Sequence, residues 1–390
     1  MQFSLRMAGL VLFGRGTARR AVELTTGLGG RVFVVTGGQS LTRAGHWQRL
    51  AAELDEKATA WTRFVVAREP DVATIDAAVA CCQEAGCDAV LAVGGGSVLD
   101  AGKAVAALAP NSGSVIEYLE DVGQKSPRAL ARAPLPVVAM PTTCGSGSET
   151  TRNSVVRVPE LQVKRSLRSD LLLPRVAIID PELAEGAPLA VAAAAGLDAL
   201  THLIEGYVSR GAQPTTDALA LRGLGLAAGA LAELLAPKPG ATFDHLALAS
   251  LWGGVVLANA GLGAVHGLVA PLGGQYEVAH GDACACLLPE TLLTNIAALQ
   301  QRAPAHPALA RYREIIAIIC PDGPRTPEHA AERLLTLRRQ LGVVSLRERG
   351  VSSASISDLV AKARGGSMRS NPIDLLDQEL EGILIRTLAS

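Results

Sequence analysis

Asp198 and His202 stand four residues apart in the strongly apolar run AAAAGLDALTHLIEGY. On a helix that spacing puts both side chains on one face. The apolar neighbours predict that this face is buried, where a carboxylate is costly unless something pairs with it. Alone, the pair reads better as a simple hydrogen-bonded Asp–His couple in a core. Two further histidines change the reading. His266 and His280 lie in a glycine-rich, charge-poor region, each followed by glycine. Pro271, Gly273 and Gly274 between them are expected to break any continuous helix, so that the chain folds back and brings both rings to one point. Three imidazoles and one carboxylate form a borderline-hard donor set suited to Fe(II), Zn(II) or another first-row divalent ion. The other histidines, His46, His245, His306 and His329, stand in polar contexts and read as surface or capping residues.

Two loops carry a different chemistry. Gly94-Gly95-Gly96-Ser97 falls between an expected strand and an expected helix. Glycines there let backbone N–H groups approach a pyrophosphate, and the helix N-terminus adds partial positive charge. Position 99 is Leu, so the GxGxxG fingerprint is missing and a plain tight turn also accounts for the run. Asp100 and Lys103 follow, either as ordinary helix-start and surface residues or as groups that orient a cofactor. The second loop, Thr142-Thr143-Cys144-Gly145-Ser146-Gly147-Ser148-Glu149, again follows an apolar run. Hydroxyls and glycines at that density suit phosphate and ribose. Two such loops on neighbouring strand ends point to a nucleotide with two phosphates.

These groups need a scaffold. Arg31–Thr36, Thr62–Ala67, Asp88–Val93, Pro136–Met140 and Val176–Ile179 read as buried strands alternating with helical segments such as Val72–Ala85, the βαβ rhythm of a parallel sheet. After Pro188 the periodicity becomes helical, with helices expected over Leu189–Val208, Pro214–Leu235, Leu246–Ala260, Thr326–Leu341 and Asp374–Leu388. The expected organisation is an α/β nucleotide-binding domain with a parallel sheet over residues 1–183, then an all-α metal and substrate domain over 184–390, with a cleft between them.

Composition narrows the function classes. The 390 residues hold 36 basic against 37 acidic side chains, a net charge of −1, and only five Phe, four Tyr and three Trp. Neither a basic surface nor a stacking platform for nucleic acid is indicated. The seven cysteines form no CxxC pair and read as reduced, buried thiols of a cytoplasmic protein. The N-terminus shows no secretion signal, and the uncharged stretch Leu246–Tyr276, with seven glycines, Asn259, His266 and Pro271, suits a buried helix and loop better than a membrane span.

Several ordered motifs resemble the iron-containing (group III) alcohol dehydrogenase family: GGGSVLDAGKA at 94–104, PTTCGSGSE at 141–149, Lys164 ahead of LPRVAIIDPEL at 173–183, GLDALTHLIEGYVS at 196–209 and VHGLVAPLGGQYEVAHG at 265–281. The resemblance spans most of the chain. It implies a dehydroquinate-synthase-like architecture, NAD or NADP in the first domain and one divalent metal in the second, Fe(II) foremost with Zn(II) as the alternative. Carried over by position, it implies Asp198, His202, His266 and His280 as metal ligands and catalytic centre. It also implies Gly37, Gly95, Gly96, Ser97, Asp100, Thr142, Thr143, Ser146 and Lys164 around the cofactor. The implied reaction is hydride transfer between an alcohol and its aldehyde or ketone, with a homodimer as the expected assembly and neither nucleic acid nor membrane as partner. Maleylacetate-type reductases and dehydroquinate-synthase-like lyases are the alternatives on the same fold.

Three positions depart from the family pattern. Gly37 stands where many members have an Asp that would repel a 2′-phosphate. Glu69-Pro70-Asp71 replaces Asn-Pro-Thr and adds two negative charges. Ala270 replaces a histidine, one turn after His266, that is often assigned to the proton relay in that family.

Overall fold

The computed structural model describes residues 2–57, 59–123, 126–236 and 241–390. The chain divides into two compact units, Arg6–Gly186 and Ala187–Ser390, the second joined by the segment ending at Leu5. The division falls three residues beyond the expected one, and the extreme N-terminus belongs with the helical unit.

In the first unit, β1 (Leu10–Phe13), β2 (Arg31–Thr36), β3 (Ala60–Val65), β4 (Ala89–Gly94), β5 (Val137–Pro141) and β8 (Val176–Ile179) form one parallel sheet in the order β1-β8-β5-β4-β2-β3. A separate antiparallel hairpin joins β6 (Asn153–Val158) to β7 (Val163–Arg168). The five expected strands are present. The hairpin was not anticipated, because Arg157, Lys164, Arg165 and Arg168 interrupt its apolar pattern, and neither was β1, a four-residue edge strand.

Helices α1 (Ala21–Thr26), α2 (Ser40–Arg43), α3 (His46–Glu56), α4 (Val72–Glu84) and α5 (Gly96–Leu108) complete this unit. Successive strand residues point to opposite faces, and both faces are covered. Phe33, Val35, Val90 and Ala92 pack with Ile75, Leu99 and Val105. Val32, Val34, Leu91 and Val93 pack with Val22, Leu50 and Leu54. Burial on both sides is why RVFVVT and AVLAVG read as nearly unbroken apolar runs. Strand order reverses between β2 and β4, and the carboxyl ends at such a reversal are the ligand position of open α/β sheets.

The second unit contains α6 (Leu189–Val208), α7 (Pro214–Glu233), α8 (Thr242–Ala260), α9 (Ala264–Gln275), α10 (His280–Arg302), α11 (Ala308–Ile319), α12 (Pro327–Gln340), α13 (Ile356–Lys362) and α14 (Asp377–Ala389). By length and apolar composition α6 and α10 could each cross a bilayer; here 78% and 83% of their most apolar windows are buried within the fold. Pro271 does not break the helix but lies inside α9, at the cost of a single backbone hydrogen bond. The reversal comes instead from a 100° bend between α8 and α9 and from the four residues between α9 and α10.

Candidate active site

Asp198 and His202 sit one turn apart on α6, which is buried along most of its length. His266 lies in the first turn of α9, and His280 opens α10. The three imidazole Nε2 atoms surround one carboxylate oxygen, Asp198 Oδ1, at 3.7 Å (His202), 3.4 Å (His266) and 3.7 Å (His280). The His202 and His266 rings stack with centroids 4.7 Å apart. The helical unit thus brings together all four residues that the sequence singled out as ligands.

Two packing features set this geometry. Glu205, one turn beyond His202 on α6, accepts hydrogen bonds from the backbone N–H of Val265 (2.7 Å) and of His266 (3.4 Å), and so caps the start of α9. Its carboxylate also lies 2.6 Å from His266 Nδ1. A carboxylate only accepts, so Nδ1 carries a proton and donates it to Glu205, which leaves Nε2 as the nitrogen that faces Asp198. Gly281 lets α10 meet α6 closely: a Cβ there would stand 2.4 Å from the Ala194 carbonyl oxygen.

The donor set fits a divalent ion. Asp198 Oδ1 is buried and makes no hydrogen bond of ordinary length. Donors bound about 2.1 Å from a tetrahedral ion stand about 3.4 Å apart, which is near the spacing seen here. The electrostatics agree. Burial alone would raise the Asp198 carboxyl, but His202, His280 and His266 together hold it far below the usual range. Burial works against a charged His266, yet Cys284, Asp198 and Glu205 push its pKa well above the usual imidazole value.

Two residues of the site had not been identified from the sequence. Glu205 continues the stripe Asp198–His202–Glu205 at i, i+4, i+7 and could have been found from that spacing. Cys284 lies one turn after His280, its Sγ 3.7 Å from His266 Nε2, and burial pushes its thiol up to about 12.

In the first unit the glycine and hydroxyl loops meet. Gly95 caps α5, and a Cβ at Gly96 would stand 2.7 Å from Ser146 Oγ, so only glycine allows this approach. A Cβ at Gly95 would come within 3.5 Å of Thr143 Oγ1, and Thr142 donates its N–H to the Gly94 carbonyl at 3.0 Å. Gly37, at the end of β2, packs beside Val98 of α5. Gly37, Gly95, Gly96, Ser97, Thr142, Thr143 and Ser146 are all partly exposed among buried neighbours. That is the arrangement of a rim from which α5's free N–H groups can bind an anion.

Asp100 and Lys103 act inside this scaffold. Asp100 accepts from Ser148 Oγ (2.5 Å) and Val155 N (3.0 Å). Lys103, fully buried, donates to the Ser148 carbonyl and Thr151 Oγ1, both at 2.9 Å, and lies 3.1 Å from Asp100. Lys164, on the hairpin, pairs with Glu69 at 2.5 Å. Asp71 caps α4 through Thr74, whose hydroxyl holds the carboxyl below its usual range. In the helical unit Arg210 lies 3.0 Å from Asp374.

Comparison with known proteins identifies relatives along both units. Residues 9–181 match the family model described as iron-containing alcohol dehydrogenase, and residues 192–388 match that of the Fe-containing alcohol dehydrogenase family, C-terminal. Long-chain-alcohol dehydrogenase 1 of Geobacillus thermodenitrificans is 42% identical over 226 residues, 57% of this chain and 56% of that protein's length. Lactaldehyde reductase of Escherichia coli K12 is 31% identical over 358 residues, 90% of each chain. The sulfoacetaldehyde reductase of Bifidobacterium kashiwanohense, solved with NAD+, superposes with a TM-score of 0.83 at 26% identity, covering 100% of both chains.

Proposed function

The chain belongs to the iron-containing alcohol dehydrogenase family and is an oxidoreductase, and from that premise we propose that it interconverts a primary or secondary alcohol with its aldehyde or ketone, using NAD or NADP and one divalent ion. The observation that carries this reading is the approach of three imidazole nitrogens to one buried carboxylate oxygen at 3.4–3.7 Å. In the oxidative direction the hydroxyl proton leaves and hydride passes from the carbinol carbon to nicotinamide, giving the carbonyl compound, NAD(P)H and a proton. Asp198, His202, His266 and His280 would hold a divalent ion, which would supply Lewis acidity toward the substrate oxygen.

The chain's own residues prepare that chemistry. Asp198 supplies the negative charge, and Glu205 fixes the tautomer of His266. Asp198, His202 and His266 are buried, whereas the His280 side chain is 39% exposed and marks the open side of the set. The Gly95–Ser97 turn and the hydroxyls of Thr142, Thr143 and Ser146 bind the nucleotide. Ala270 has no proton to give, so the proton would leave by water, by the cofactor's ribose hydroxyl when bound, or by another side chain.

Both cofactors suit the site. Gly37 offers no carboxylate against a 2′-phosphate, and the added charges of Glu69 and Asp71 are engaged by Lys164 and by the start of α4. The NAD+ complex of the sulfoacetaldehyde reductase supports the unphosphorylated form. Fe(II) accords with the family, and Zn(II) accepts the same donors. Exposed Met7, Leu10 and Phe13, on and before edge strand β1, support a homodimer, and seven cysteines outside any disulfide support a reducing, cytoplasmic setting.

The test is to strip the protein with a chelator and assay NAD+- and NADP+-linked oxidation of an alcohol panel. Turnover should vanish and return with Fe(II) or Zn(II). Undiminished turnover in metal-free protein would overturn the reading.

A further inference from the structure

We propose that Cys284 is an additional donor of the metal centre, so that the site combines a thiolate with Asp198 and imidazole nitrogens. The proposal rests on the reading that a divalent ion binds at Asp198. Its first support is position: ligand atoms of Asp198, His266, His280 and Cys284 all lie within 4.8 Å of one another. Cys284 is fully buried and follows His280 by one turn, so both project from the same face of α10.

The second support is spacing. A sulfur at 2.3 Å and a nitrogen at about 2.1 Å from a tetrahedral ion stand about 3.6 Å apart. Cys284 Sγ lies 3.7 Å from His266 Nε2. That sulfur, that nitrogen and buried Asp198 Oδ1, which makes no hydrogen bond of ordinary length, all face one another. A shared cation satisfies all of them. Cys286, two residues on, behaves differently: its sulfur is engaged by Arg338 Nη1 at 3.1 Å and by the Val344 carbonyl at 3.5 Å.

A thiolate in the set changes which ions it prefers. Thiolate donors favour Zn(II), Co(II) and Fe(II) over the harder Mn(II) and Mg(II). Cys284 therefore sharpens metal choice, beyond what three imidazoles and a carboxylate impose.

The probe is Co(II), titrated anaerobically into metal-free protein and followed by absorption. The wild type should show visible d–d bands together with a near-ultraviolet thiolate-to-cobalt charge-transfer band, both saturating at one equivalent. C284S and C284A should keep the d–d bands and lose the charge-transfer band. In chelator competition they should hold Zn(II) at least about tenfold more weakly, with a smaller loss for Mn(II). Visible bands without the charge-transfer band in the wild type, or its persistence in C284S, would refute the role of Cys284 and leave the Asp198–imidazole site standing. Absence of any cobalt binding would refute both. The wild-type spectrum decides the matter even if neither variant folds.

Discussion

At the scale of single residues, Glu205 shows how one carboxylate performs two tasks. It caps α9 through the Val265 amide and orients His266 through Nδ1. Glu205→Gln would place an amide where a carboxylate accepts, loosening the hold on the tautomer. Zn(II) affinity measured by chelator competition is expected to fall roughly 10–100-fold, as for other groups that orient metal-bound histidines. Glu149 makes a different point. Burial lifts its pKa from the ordinary 4.5 to about 7. The folded chain therefore keeps a proton that the unfolded chain releases, and stability falls as pH rises from 4.5 to about 7. The stability lost is about 3 kcal/mol, retained below that window and gone above it. Glu149→Gln should remove this slope, read from urea denaturation midpoints at pH 5 and pH 8. An unchanged slope would show that Glu149 is ionised throughout.

At the scale of elements, the site depends on how closely helices approach. Gly281→Ala would drive a methyl to 2.4 Å from the Ala194 carbonyl oxygen, so the start of α10 must move away from α6. A cost of about 1–3 kcal/mol is expected. Metal content on purification should drop as well, because His280 moves with the helix. Gly225 on α7 is the control: nothing lies within 4 Å of a Cβ built there, so Gly225→Ala should be neutral or stabilising by up to about 1 kcal/mol. Equal loss of metal in both variants would mean that α10 packing does not set the site. The cofactor loops obey similar logic. Lys103 spends its donors on Ser148 and Thr151, which ties the hydroxyl loop to the helix behind the glycine turn.

At the scale of the whole molecule, each unit carries its own chemistry. The four candidate metal ligands all lie within Ala187–Ser390, and the nucleotide loops within Arg6–Gly186. The donors come from three separate helices, so they meet only in the folded chain, and binding must therefore stabilise it. At a free Zn(II) concentration of 100 times Kd the gain is about 2.7 kcal/mol. Differential scanning calorimetry should show the thermal midpoint rising with Zn(II) and falling back with chelator. His266→Ala should be insensitive to both. A midpoint that ignores Zn(II) in the wild type would count against a native metal site.

The sequence by itself determined everything that a local period can encode. Period-3.6 apolar patterning revealed α6 and the shared face of Asp198 and His202; unbroken β-branched runs revealed the buried strands; glycine after a strand marked the nucleotide turns. The same spacing rule reaches Glu205 and Cys284, each one turn from a candidate ligand histidine. The tertiary structure alone decided which separated residues meet. It joined Lys164 to Glu69, kept Pro271 inside a helix, and brought α9 and α10 onto α6 so that His266, His280 and Cys284 gather near one carboxylate. The physical reason is that backbone periodicity fixes neighbours within a turn or a strand, whereas contacts between distant segments depend on side-chain volumes and close approaches, such as the glycine facing Ala194, that no short window contains.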